Sequence, residues 1–302
     1  MVQSAKSFLG LFIVSIFIAS AAIIIYLGAS GTFNNSHKIG SVEPATVTHI
    51  KGDENLVPHK ALYEIKLFSK KSGSQVLNIS GKMFYEWEKT CGGWLTDHNF
   101  DMLYEYADSP SMRVTSNFST YEGFDSQTLD FTMERKSNGQ VFEKIRGSAN
   151  SQEATYTLPT DDLKFAFDDD TFFPIAHTAA VVNQIKANQK FMSATLFDGS
   201  DTEGPLIVSS FVGSKAAAPE ELLTQKDIDK SLLDAPAHKL RLAFFPLKSE
   251  QAEADYEMDM VFHENGVISD MHVYYDDFAV SQSLVALQVS EDSCVDSMET
   301  KE

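Results

Sequence analysis

The chain has 302 residues, of which 43% are hydrophobic and 22% are charged, so it can bury a substantial core and is not disordered as a whole. Its 24 Lys and Arg residues against 43 Asp and Glu residues give a net charge of −19 at pH 7. Because binding to a nucleic-acid backbone requires clustered cationic side chains, this charge excludes nucleic acid as the expected partner. It also argues against docking on anionic lipid headgroups through a basic patch.

The N-terminal segment indicates export. After Lys6, the stretch from Phe8 to Gly28 carries no charged residue, and Gly28-Ala29-Ser30 offers the small residues that a signal peptidase recognises. We therefore predict a signal peptide over residues 1–30 and a flexible linker, rich in small polar residues, over 31–55. An uncleaved N-terminal membrane anchor is the alternative, because about twenty apolar residues can span a bilayer. Either form exports the remainder of the chain.

From residue 56 onward, short segments alternate apolar and polar residues, which is the pattern of half-buried strands. About a dozen such segments are separated by turn residues. The turns include Asn138-Gly139 and Asn265-Gly266, and Asn-Gly favours tight hairpins because both residues tolerate positive φ. Since no helices alternate with these strands, we predict an all-β, antiparallel fold. We predict one domain over residues 56–294, with two coaxial sheets as the alternative, followed by a C-terminal tail over 295–302.

One segment, Pro174 to Gln189, has the periodicity of a helix instead. Its candidates for lining a cavity or packing the helix are Ile175, His177, Val182 and Ile185. No charge appears before Lys186, whereas a surface helix normally has a charged face, so we predict that this helix is covered on most sides. Two positions fit that pattern, one inside a barrel-like sheet and the other against the outside of a sheet.

The chain has only two cysteines, Cys91 and Cys294. In an oxidising compartment they either form one structural disulfide or remain as two buried thiols. Neither has a second cysteine nearby, so a zinc site is not predicted. Cys91 follows an aromatic segment that begins at Gly81 and precedes Gly92-Gly93-Trp94.

No sequence motif of an enzyme is present. The chain lacks a Gly-x-Ser-x-Gly elbow, a phosphate-binding glycine loop and a His-Glu-x-x-His motif. We therefore predict a protein without catalytic residues, bound metal or cofactor. A hydrolase built from dispersed Ser, His and Asp residues is the remaining alternative within enzyme chemistry.

A series of short motifs, in a fixed order along the chain, carries a family resemblance. They are Leu56-Val57-Pro58-His59, Gly81-Lys82-Met83, Cys91-Gly92-Gly93-Trp94, Phe173-Pro174 with His177, Phe197-Asp198-Gly199, Phe244-Phe245-Pro246, Glu264-Asn265-Gly266-Val267 and Asp277-Phe278. In this order they resemble the EipB-like family of periplasmic envelope-integrity proteins. The resemblance covers essentially the whole of the predicted domain.

The resemblance implies a spiral-like, broken β-barrel with an apolar helix in its cavity and a disulfide between Cys91 and Cys294. It also implies a non-enzymatic periplasmic protein that supports cell-envelope integrity and resistance to stress, acting with a periplasmic tetratricopeptide-repeat protein. The alternative is a periplasmic carrier of lipid or another amphiphilic envelope component, because a half-open barrel around a helix has the concave apolar geometry that such ligands need.

Overall fold

The computed structural model describes residues 55–247 and 253–290. The predicted signal peptide or anchor, nearly all of the predicted linker, Cys294 and the C-terminal tail lie outside the described residues. Two short 3-10 helices, Glu220–Thr224 and Lys230–Leu233, accompany the main elements. Those elements are β1 (His59–Lys70), β2 (Val76–Lys89), β3 (Gly93–Tyr106), β4 (Met112–Gly123), β5 (Thr128–Ser137), β6 (Gln140–Asn150), β7 (Glu153–Leu158), β8 (Lys164–Ala166), α1 (Pro174–Lys186), β9 (Phe191–Leu196), β10 (Leu206–Ala216), β11 (Ala237–Pro246), β12 (Tyr256–His263), β13 (Ile268–Tyr274) and β14 (Phe278–Val289).

All these strands belong to one antiparallel sheet, in the order β8-β7-β6-β5-β4-β3-β2-β1-β14-β13-β12-β11-β10-β9. Within each half, β1–β8 and β9–β14, every strand pairs with its neighbour in sequence. The halves are joined by β1 and β14, with His59 opposite Val289 and Lys70 opposite Phe278. Because β8 and β9 remain as separate edges, the sheet does not close. This confirms the predicted broken, antiparallel β-barrel.

The strands arise from the alternation that the sequence shows. In β5, Leu129, Phe131 and Met133 are buried, whereas the residues between them point to solvent. The following turn has φ of 49° at Asn138 and 83° at Gly139, the left-handed values that a tight hairpin requires. The predicted hairpin at this position is confirmed.

The helix α1 lies inside the curved sheet. The sequence is compatible with a position inside or outside, but nine of its 13 residues are buried: Ile175, Ala176, His177, Ala179, Ala180, Val181, Val182, Gln184 and Ile185. The helix ends at Lys186 and not at Gln189 as predicted, because Asn188 adopts a φ of 53°. A left-handed residue just beyond the last turn terminates an α-helix.

The interior contains two hydrophobic clusters. The larger one surrounds α1 and draws on both halves of the sheet. The smaller one lies under β5–β7 and is rich in aromatic rings, with Phe131, Tyr156 and Phe197 at its centre. Phe173, directly before α1, belongs to this smaller cluster and thereby anchors the start of the helix.

Gln282 is a polar residue in the larger interior. It lies on β14 opposite Ile65 of β1 and Met271 of β13, it is 0% exposed, and neither amide atom has a hydrogen-bond partner among the described residues. An unpaired buried amide costs free energy, so Gln282→Met is expected to raise the free energy of unfolding by about 1–2 kcal/mol. Urea unfolding followed by circular dichroism measures this change.

Gln184 provides the matched control for that substitution. It is also buried, but its amide is hydrogen-bonded to Ser210. We therefore expect Gln184→Met to lower stability by about 1–2 kcal/mol, because it removes the acceptor at 2.6 Å and leaves the Ser210 hydroxyl only the Met192 carbonyl at 3.4 Å. A loss of stability in Gln282→Met comparable to that of Gln184→Met would contradict the prediction.

Candidate functional site

A cavity of about 190 Å³ lies between α1 and the concave face of the sheet. Its walls come from β1–β4, β9, β11–β13 and the N-terminal part of α1. Most of the lining is aromatic or aliphatic, with four methionines: Met83, Met258, Met260 and Met271. An apolar cavity of about 150 Å³ is large enough to bind benzene, so this one accommodates at least a short apolar segment of a ligand.

The register of β1–β4 brings the polar and aromatic lining residues together. His59, Trp87, Thr96 and Thr120 are successive partners across these strands. Trp87 contacts His59 at a ring-centroid distance of 5.3 Å. The turn at Gly266 closes over the same indole: its φ is 90°, and a Cβ atom there would lie 2.5 Å from the Trp87 ring. Any other residue at this turn would displace the tryptophan.

A buried carboxylate from β4 caps the N-terminus of α1. The side chain of Phe173 at the N-cap offers no hydrogen bond, and the first turn contains no acidic residue. Instead, Glu122 accepts hydrogen bonds from the backbone N–H of Ile175 at 2.7 Å and of Ala176 at 2.9 Å. A carboxylate in this position satisfies otherwise unpaired donors and complements the positive end of the helix dipole.

The other end of α1 is fixed to the second half of the sheet. The Ser210 hydroxyl of β10 donates to Gln184 Oε1 at 2.6 Å, and both residues are buried. Together, Glu122 and Gln184 attach the helix to β4 and to β10, which lie on opposite sides of the β1–β14 pairing. The helix therefore holds the two halves of the open sheet around the cavity.

Three histidines line the cavity, and their surroundings favour the uncharged imidazole. Burial lowers the pKa of His59 to about 4, although the Val57 carbonyl, which accepts a hydrogen bond from Nδ1 at 2.8 Å, opposes the shift. Burial likewise lowers the pKa of His177 to about 4 and that of His98 to about 3. All three are neutral at pH 7.

These shifts can be tested by NMR titration. We expect the His59, His98 and His177 imidazoles to remain neutral from pH 8 down to about pH 5, with resonances assigned by single His→Gln variants. Because unfolded histidines bind protons near pH 6.5, the three groups lower stability as the pH falls from about 6.5 towards 4. Titration of all three near pH 6.5 would contradict the prediction.

An acidic loop after β9 closes one side of the cavity. Asp198 lines the cavity and accepts a hydrogen bond from the backbone N–H of Ser200 at 3.1 Å, and burial raises the pKa of its carboxyl. Burial, reinforced by the nearby Asp198, raises the pKa of Asp201 to about 8. Because the folded state binds these two protons more readily than the unfolded chain, Asp198 and Asp201 raise the free energy of unfolding as the pH falls. This effect is opposite to that of the three histidines. Arg135 donates to the Ser200 carbonyl at 3.1 Å and fixes the loop to β5.

The residues predicted from the helical pattern occupy two kinds of position. Ile175 and His177 line the cavity. Val182 and Ile185 are 0% and 4% exposed and pack into the larger hydrophobic cluster. Cys91 lies in the turn between β2 and β3, and its pairing with Cys294 stays a prediction because Cys294 is outside the described residues.

Three comparisons with known proteins bear on this architecture. The sequence model of the EipB-like family matches residues 51–291, which is most of the chain. The chain belongs to the EipB-like family. It is 25% identical over 244 residues to the cell envelope integrity protein EipB of Brucella abortus (strain 2308), covering 78% of this chain and 84% of that protein.

The fold of this EipB-like chain also agrees with a solved structure. A crystal structure of a beta-barrel-like protein of a domain of unknown function, DUF1849, from Brucella abortus superposes with a TM-score of 0.72. The sequence identity is 24%, and the match covers 78% of this chain and 99% of that one. This likeness shows the fold. No helix within the described ranges is both long and apolar enough to cross a bilayer.

Proposed function

We propose that this EipB-like protein supports cell-envelope integrity from the periplasm by binding an amphiphilic envelope component in the cavity beside α1. The cavity itself carries the proposal, because it is apolar, is built around a buried helix and has room for part of a hydrocarbon chain. The name of the Brucella abortus relative, a cell envelope integrity protein, supports the cellular role. The role of carrier or binder is our extension of it.

The chemistry of the lining supports a binding role without catalysis. Among the described lining residues there are three histidines and one aspartate, but neither serine nor cysteine. The lining also contains the hydroxyls of Thr96, Thr120 and Thr178, and that of Thr178 donates to the Pro174 carbonyl at 2.9 Å instead of to a base. The family is named for an envelope-integrity protein and not for an enzyme. We therefore propose that bound molecules leave the cavity chemically unchanged.

The binding proposal is tested by native mass spectrometry of protein extracted gently from cells. Wild-type protein is expected to carry a bound amphiphile. Thr178→Trp, which adds bulk at a half-buried helical position on the cavity wall, is expected to lose it. Lys186→Trp is the control, because Lys186 is exposed on the same helix and does not line the cavity. A clean apo mass for wild type would contradict the proposal.

The same variants connect binding to the envelope. A strain that lacks the protein should be sensitive to detergent and to cell-wall antibiotics. Wild type and Lys186→Trp are expected to restore resistance, whereas Thr178→Trp is not. Normal resistance of the deletion strain would refute the envelope role. Full rescue by Thr178→Trp would show that the envelope role does not require binding in the cavity.

A protein partner is the second candidate, and one surface favours it. Phe191 on the edge strand β9 stands opposite Phe211 on β10, and the two rings are 56% and 53% exposed. An exposed aromatic pair at a sheet edge is typical of sites that receive another chain. The predicted periplasmic tetratricopeptide-repeat protein is the partner that we propose for it.

In-cell photo-crosslinking tests this partner. A crosslinking amino acid at Phe191 is expected to capture a tetratricopeptide-repeat protein. The same group at Phe68, which is 54% exposed on the distant strand β1, is the control and is not expected to do so. Equal capture from both positions, or none from Phe191, would contradict the assignment of this surface.

A further inference from the structure

Two residues that line the cavity each contain a buried polar atom without a hydrogen-bond partner among the described residues. These atoms are Nε1 of Trp87 and Nε2 of His177, in side chains of residues that are 3% and 6% exposed. Buried polar groups in folded proteins are nearly always paired. The indole N–H can only donate, so it requires an oxygen or nitrogen acceptor, whereas the imidazole nitrogen donates or accepts according to its tautomer.

The charges around these atoms restrict what can pair with them. No lysine or arginine is present among the described lining residues, and the three histidines are neutral at pH 7. The one acidic lining residue, Asp198, is held by Ser200, and burial favours its protonated form. An anionic headgroup would therefore lose its hydration without gaining an opposite charge. A quaternary ammonium headgroup has no acceptor atom, so it leaves the indole N–H unpaired.

The apolar part of the lining restricts the ligand much less. Four of the ten methionines in the chain line the cavity. Methionine side chains are flexible and polarizable, so they adapt to different apolar shapes. Discrimination between ligands is therefore expected at the polar end and not along the hydrocarbon chain.

We propose that the cavity selects an uncharged, oxygen-bearing amphiphile, such as a fatty alcohol or ester, whose oxygen accepts a hydrogen bond from Trp87 Nε1–H. His177, the other lining residue with an unpaired buried nitrogen, lines the same cavity. The proposal rests on the amphiphile-binding function proposed above and adds the chemical class of the ligand.

Isothermal titration calorimetry with probes of equal chain length tests the selectivity. The delipidated full chain is titrated at pH 7.5 with decan-1-ol, decanoate, decyltrimethylammonium and decane. We expect decan-1-ol to bind about ten times more tightly than each of the other three probes. A tenfold difference in affinity corresponds to the net contribution of about one buried hydrogen bond. Equal or tighter binding of either ion would overturn the selectivity and leave the binding function standing. Failure of all four probes to bind would overturn both.

A pair of tryptophan variants identifies the donor. Trp87→Phe keeps an aromatic ring but removes the N–H, so it is expected to reduce decan-1-ol affinity about tenfold and to leave decane affinity unchanged. Trp94→Phe is the matched control, because Trp94 is buried and its ring centroid lies 6.1 Å from that of Trp87, but it does not line the cavity. The decane titration shows that each variant retains a folded cavity. An unchanged ratio of decan-1-ol to decane affinity in Trp87→Phe would overturn the role of Trp87.

Discussion

Replacement of Glu122 by alanine is expected to lower the free energy of unfolding by about 3 kcal/mol or more. The variant removes the acceptor for the Ile175 and Ala176 N–H groups, which are buried at the start of α1. Each buried donor left without a partner costs about 1–3 kcal/mol. The loss also removes a negative charge from the positive end of the helix dipole.

A more conservative change isolates the charge. Glu122→Gln keeps the size of the side chain, but its amide has one oxygen acceptor and turns an NH₂ group towards a backbone donor, so we expect a loss of about 2 kcal/mol. Glu153→Ala, at an exposed position on β7, is the control and should change stability by less than about 0.5 kcal/mol. Urea unfolding followed by circular dichroism gives all three values. A midpoint for Glu122→Ala equal to that of Glu153→Ala would refute the cap.

Removal of the proposed Cys91–Cys294 disulfide is expected to lower stability by about 2–5 kcal/mol, the usual range for a native disulfide. The strand register supports this pairing. Strands β2 and β14 are both antiparallel to β1, and Trp87 and Val289 both stand opposite His59. The chain therefore leaves β2 towards Cys91 and leaves β14 towards Cys294 at the same end of the sheet.

The contacts of Ser290 extend that argument beyond the last strand. Its backbone N–H donates to the Pro58 carbonyl at 3.0 Å, and its hydroxyl donates to Glu86 of β2 at 3.0 Å. The chain is thus directed towards the end of β2 as it leaves β14. We expect non-reducing peptide mapping to recover one peptide that contains both cysteines.

Thermal unfolding with and without reductant measures the effect of the disulfide. Wild type is expected to melt at a lower temperature in reductant, and Cys91→Ser is expected to melt at that lower temperature in both conditions. The variant in which both cysteines are serine controls for other actions of the reductant. Alkylation of both cysteines in unreduced wild-type protein would refute the pairing.

Much of the fold could be predicted because its strands expose one face and bury the other. The alternation of Leu129, Phe131 and Met133 predicts β5 directly. The sequence predicts an end of α1 that is three residues too late, because the helical pattern continues to Gln189, whereas the chain turns back into β9 through the left-handed φ of Asn188. The uncharged helical pattern also predicts that α1 is covered on most sides, but it does not identify the strands that cover it.

The site was predictable only in part. Ile175 and His177 were found because they lie on the apolar helix, whereas His59 and Trp87 reach the cavity through the register of β1 and β2. Glu122 was missed because its contact with Ile175 spans 53 residues. A signal was nevertheless present: Glu122 continues the inward-facing alternation of β4, and the helix has no acidic residue in its own first turn.

The β1–β14 pairing has a consequence for the order in which the protein folds. Every other strand pairing joins neighbours in sequence, so those hairpins can form independently of the rest of the chain, whereas the outer edge of β1 remains unpaired until β14 reaches it. Pairing between distant parts of a chain is the slow step of folding. Until it occurs, β1 presents an unpaired edge that can aggregate with other chains. A polypeptide that ends before β14 would therefore keep most of its hairpins and still aggregate more readily than the full chain.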